Sequence, residues 1–80
     1  MPELKRIHFK GIAPLIDENR GMKMVRKLEE GGFLKIDKVI TDIRNLRFKT
    51  EKYEAILLVP EENITYVKNQ LKIKEGKMKK

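Results

Sequence analysis

Apolar and polar positions alternate from Leu4 to Lys10, with Ile7 and Phe9 on one side and Arg6, His8 and Lys10 on the other. Successive side chains of a strand point to opposite faces, so LKRIHFK predicts a half-buried strand with a basic outer row. Gly11 and Pro14 then interrupt the pattern, and GIAPLI reads as a connection into a helix. In the following segment Met24, Val25 and Leu28, with Met22 near them, fall on one helical side. Asp17 is a candidate N-cap, Gly21 weakens the first turn, and Gly31-Gly32 is a strong stop. The spacing predicts a helix over 17–30.

Residues 33–49 fit two patterns. As a strand, Leu34, Ile36, Ile40, Leu46 and Phe48 share one parity, and a bulge near Thr41 or Asp42 repairs the register broken by Lys38, Asp42 and Arg44. As a helix, Ile36, Val39, Ile40, Ile43 and Leu46 share one face. The β-branched residues and the missing helix stop favour a long, bent strand. Thr50-Glu51-Lys52 reads as a polar break or hairpin turn before YEAILLV, residues 53–59, which is apolar on both faces beyond Glu54 and suits a central strand. Pro60 and the acids Glu61 and Glu62 then open a second helix, over 61 to about 70, with Ile64, Val67 and Leu71 at helical spacing. LKIK, from Leu71, is either a short final edge strand or a frayed end.

The predicted order is strand, helix, strand, strand, helix. It implies an α+β fold: a small two-layer sandwich with an antiparallel sheet and both helices on one face. With a final strand counted, the order is similar to the ferredoxin-like plait, in element order only. One domain over 1–71 followed by a basic, mobile tail over 72–80 is the expected organisation.

Composition narrows the function classes. The chain has 80 residues, 40% apolar and 39% charged, enough for a modest core and too apolar for a disordered solvating chain. The formal charge is +7, and more than half of it sits in the last nine residues, KIKEGKMKK. There is no Cys and no Ser, and His8 is the one histidine, so Ser-His and Cys-His nucleophiles, disulfides and thiolate zinc sites are excluded within the chain. Glu29-Glu30 and Glu61-Glu62 are adjacent pairs that diverge on a helix and make no carboxylate dyad. No phosphate-cradling glycine motif is present. The expectation is therefore a protein that is not an enzyme and needs no cofactor and no metal. No apolar run is long enough to span a membrane and the first residues lack a secretory pattern, so no membrane association and a cytoplasmic location are expected.

Three basic groups remain as candidate chemistry. Arg6, His8 and Lys10 form the strand row. Arg20, Lys23 and Lys27 are spaced as one helical stripe with Arg26 beside it. Lys77, Lys79 and Lys80 lie in the tail. Together they point to binding of nucleic acid, DNA or RNA, through phosphate contacts. The base-stacking aromatics of RNA-recognition motifs are missing, and Phe9 reads as core. The competing reading is a protein-interaction or regulatory module, of phage or accessory type and homodimeric or bound to another protein, which uses the open sheet face around Ile56 and Leu58 or an edge strand. One contiguous positive surface would favour the first reading, and scattered cations around an apolar face the second.

Overall fold

A computed structural model describes residues 3–72. The elements run β1 (Leu4–Pro14), α1 (Gly21–Glu30), β2 (Lys35–Asn45), β3 (Thr50–Pro60), a 3-10 turn (Glu61–Asn63) and α2 (Ile64–Leu71). The sheet order is β1-β3-β2, with both pairings antiparallel. Strands β1 and β2, joined through α1, thus have β3 between them, a split β-α-β arrangement. The α+β fold expected from the sequence is the fold observed.

The core explains why these elements pack. Ile7, Phe9 and Ala13 of β1 and Tyr53, Ala55, Leu57 and Val59 of β3 are buried on one sheet face, beneath Met22, Val25 and Leu28 of α1 and Val67 of α2. Each large aliphatic side chain in such a layer contributes about 1.5–3 kcal/mol over leaving it exposed. Phe9 stacks on Tyr53 with ring centroids 4.7 Å apart. The other sheet face is left open.

Several boundaries differ from the sequence reading. β1 runs on through Gly11 to Pro14, because all of its residues keep partners on β3 without a register shift. α1 begins at Gly21 and not at Asp17: the Asp17 carboxylate instead accepts a bond from the Asn19 N–H, a local turn, and Arg20 is the extended N-cap. Arg20 therefore stands off the helix and is no member of a helical stripe. The β2–β3 turn is formed by residues 46–49 and not by Thr50-Glu51-Lys52, which is already strand. Lys49 takes φ 54° there, and the Asn45 side chain accepts from the Phe48 N–H. Leu46 and Phe48, expected on the strand's apolar parity, are 78% and 69% exposed in that turn.

β2 is a bent strand, with register shifts between Ile36 and Lys38 and between Val39 and Thr41. The second lies beside the bulge expected near Thr41. The first is held by Glu29 of α1, whose carboxylate accepts the Ile36 N–H at 2.9 Å. Leu71 closes α2 and Lys72 is its left-handed C-cap, so LKIK does not begin a strand at Leu71. Lys72 thus belongs to the fold and not to a tail starting there. The rest of the expected tail and final strand, residues 73–80, lies outside the described residues.

Candidate functional site

Cross-strand partners share a face, so the register defines what the open face carries. Leu58 is flanked by Arg6 and Lys35, Ile56 by His8 and Lys38, Glu54 by Lys10 and Thr41, and Lys52 by Ile12 and Ile43. The strand row Arg6-His8-Lys10 is thus joined by Lys35, Lys38 and Lys52, which no local pattern singles out. Two acids answer them: Asp37 pairs with Arg6 at 3.8 Å, and Glu54 with His8. A shallow groove of about 440 Å³ runs over this face past Lys10, Ile12, Thr41, Lys52 and Glu54. Ile56 and Leu58 lie on the open face outside this groove, half-buried by their neighbours.

The helical group lies on the other layer, and its members have separate surroundings. Arg26 is 3.3 Å from Asp42 of β2, and Lys27 is 3.9 Å from Glu18. Lys23 faces a cleft of about 210 Å³ at the start of α1, with Arg20, Arg44, Asp17 and Glu51 among its walls. Lys77, Lys79 and Lys80 are outside the described residues.

The strand row and Arg20 alone of the predicted helix group meet at one place, the outer edge of β1. A cleft of about 400 Å³ there is lined by His8, Phe9, Lys10, Gly11 and Ile12 of β1, Arg20, Tyr53 of β3, and Leu71 and Lys72 at the end of α2. No acidic residue is among its walls. Lys10 and Arg20 have no acidic partner among the described residues. The extended backbone of Arg20, φ −139° and ψ 161°, takes it out of the helix line toward β1. Tyr53 is 8% exposed, and its hydroxyl lies over Gly11, where a Cβ would come within 2.8 Å of it. Burial raises the Tyr53 pKa, with Arg20 opposing and Glu51 reinforcing, so the hydroxyl keeps its proton at neutral pH and is a donor.

At the start of α1, where Glu51 lines the smaller cleft, sits a pair of carboxyl groups that no local pattern announces. Glu51 of β3 is 4% exposed and accepts the Met22 N–H, thereby capping α1 from a distant strand. Burial pushes its pKa above the ordinary 4.5, and the hydrogen bond and charge of Asp42 push the same way, against Met22 and Arg44. Asp42 Oδ1 and Glu51 Oε2 are buried and otherwise without partners among the described residues. One proton shared between the two groups would satisfy both oxygens.

Among the described residues no group of three or more His, Cys, Asp or Glu is placed to hold a metal ion, and no helix is long and apolar enough to cross a membrane. No protein-family model matches the chain, and neither the curated proteins nor the solved structures contain a match to it.

Proposed function

We propose that the protein is a small nucleic-acid-binding protein that holds its ligand by phosphate contacts, with the edge of β1 as the docking line. The observation that carries this reading is the cleft without acidic walls in which Lys10 of the strand row meets Arg20, just before α1, and Lys72. Cations on three separate segments line it with no acid among its walls, while the nearest carboxylates, Glu54 across from Lys10 and Glu51 near Arg20, face neighbouring grooves, an arrangement that suits a polyanion. Lys35, Lys38 and Lys52 extend the positive surface across the open sheet face. Arg26 and Lys27, which have acidic neighbours, contribute less.

The open face carries no Phe, Tyr or Trp and only the His8 imidazole as an aromatic ring, so base stacking adds little there and sequence preference is weak. Binding is then dominated by counterion release and falls steeply with salt. Filter binding with labelled single-stranded and duplex DNA and RNA tests this. Binding near 50 mM salt that weakens by orders of magnitude toward about 200 mM is the expected result. Absence of binding to all four ligands at about 50 mM removes the proposal.

A second reading has its own observation. Leu4, Ile12 and Ile43 are exposed around Ile56 and Leu58, and Ile12 is 67% exposed. An apolar centre rimmed by cations on an uncovered sheet face also suits a protein partner, including a second copy. Light scattering across a concentration series tests the homodimer, and a monomer at every concentration argues against it.

A further inference from the structure

We propose that the cleft at the β1 edge is a discrete phosphate-binding site, which holds the phosphoryl group of a phosphomonoester between the Arg20 guanidinium, the Lys10 ammonium and the Tyr53 hydroxyl. This rests on the reading of the cleft as phosphate-facing, but it does not need a polymer.

The argument begins with Tyr53. It is more than nine-tenths buried, stacked on Phe9, and one of the cleft walls, and its hydroxyl, beside Gly11, has no hydrogen-bond partner among the described residues. The hydroxyl is not among the fully buried unpartnered atoms, so it is reachable from outside and can donate to a bound acceptor. Arg20 lines the same cleft as Tyr53, and both Arg20 and, with opposite sign, Glu51 act on the Tyr53 hydroxyl. Every ionisable wall of the cleft other than His8 and Tyr53 is a cation, so a ligand that suits it is an acceptor carrying negative charge.

The donors come from different directions: β1, the segment before α1, β3 and the end of α2. A flat carboxylate is served by one guanidinium fork. A tetrahedral phosphoryl group offers oxygens to donors on several sides. At about 400 Å³ the cleft is roomier than one phosphate needs, leaving space for the group that the phosphate esterifies. Gly11 is part of the design, because a side chain there would collide with the Tyr53 hydroxyl.

The test is an amide NMR titration of the folded protein with inorganic phosphate, against sodium chloride at matched ionic strength. Shifts confined to Lys10, Gly11, Arg20, Tyr53 and Lys72 and saturating with phosphate alone are expected. Tyr53→Phe is expected to weaken phosphate binding about five- to tenfold and Arg20→Gln about tenfold or more, with Lys27→Gln as the unaffected control. Thermal melts of each variant confirm that the fold persists. Short oligonucleotides with and without a 5′-phosphate separate the sources: a preference for the phosphorylated end, lost in Tyr53→Phe, assigns the site to nucleic-acid termini. Equal binding of both oligonucleotides, with phosphate still saturating the cleft, assigns it to a small phosphomonoester. Non-saturating shifts equal to those in chloride, or affinity unchanged in both cleft variants, overturn the inference. In that case salt-sensitive oligonucleotide binding would leave the wider nucleic-acid reading standing, whereas phosphate binding without oligonucleotide binding would do the reverse.

Discussion

Replacing Glu51 with glutamine is expected to stabilise the protein at neutral pH, and by less as the pH falls. When both are ionised, Asp42 and Glu51 are acceptors only and cannot satisfy one another. Asp42 Oδ1 and Glu51 Oε2 are then two buried oxygens without donors among the described residues. Leaving such an atom unmet costs about 1–3 kcal/mol. In Glu51→Gln the new amide nitrogen donates to Asp42 while the amide oxygen keeps the Met22 N–H, which removes one of the two deficits. Against this, the negative charge at the start of α1 is lost, a cost of about 0.3–1 kcal/mol, and with it the attraction to Arg44. The expected net gain is about 1 kcal/mol, equivalent to about 4–8 °C in Tm for a chain of this size.

The pH dependence follows from the direction of the Glu51 shift. Its pKa is raised in the fold above the ordinary 4.5. Its contribution to stability is therefore fully present below about 4.5 and is lost as pH rises through the folded value. Glutamine does not titrate, so the gap between variant and wild type opens with rising pH. Urea denaturation at about pH 5 and about pH 7.5 reads this directly. A variant less stable than wild type at the higher pH, or a gap of equal size at both, would refute the shared-proton account.

Four other substitutions probe the packing. Leu57→Ala, at a fully buried position in the central strand, is expected to cost about 2–5 kcal/mol in urea denaturation, and a loss below about 1 kcal/mol would mean the two layers do not close over β3. Gly11→Ala puts a Cβ 2.8 Å from the Tyr53 hydroxyl and 3.2 Å from its ring carbon, so a loss of about 1–3 kcal/mol is expected by overpacking, with no loss if Tyr53 points elsewhere. Leu46→Ser and Phe48→Ser, both in the exposed β2–β3 turn, should each change stability by no more than about 0.5 kcal/mol; a core-sized loss would restore them to the strand.

Local patterns carry much of the fold. The alternation of Ile7 and Phe9 with Arg6, His8 and Lys10 gives the correct inward and outward faces of β1. Of the expected apolar side of α1, Val25 and Leu28 are buried, but Met22, expected only near it, is fully buried while Met24 is half-buried; Pro60 with Glu61 and Glu62 marks the approach to α2. The β2–β3 turn escapes a sequence reading because it contains no Gly or Pro and uses a lysine at positive φ. Asn45, whose side chain closes that turn, is the available signal. Asp17 resembles a helix cap because its residue type fits. The side chain that actually accepts from the first turn is Glu51, on a strand far downstream, and no window of local sequence contains that contact.

The site is legible only in parts. Lys10 and Arg20 both stand out in the sequence, but their meeting depends on β1 continuing through Gly11 and on Arg20 leaving the helix line. Tyr53 reads as one more apolar position of a central strand. Its hydroxyl acquires meaning only from the glycine opposite. Lys35, Lys38 and Lys52 reach the open face through the bulged register of β2 and through the parity of β3, neither of which composition reveals.

The central claim is that Lys10 and Arg20 converge on phosphate. The salt dependence of oligonucleotide binding tests it most directly, measured for wild type, for the double variant Lys10→Gln/Arg20→Gln, and for the control Arg26→Gln/Lys27→Gln. Each phosphate contact contributes about −0.7 to the slope of log K against log salt for a single strand. The account predicts a slope shallower by about 1.4 in the cleft variant and a smaller change in the control. Equal slopes in wild type and the cleft variant, or a larger change in the control, would contradict it.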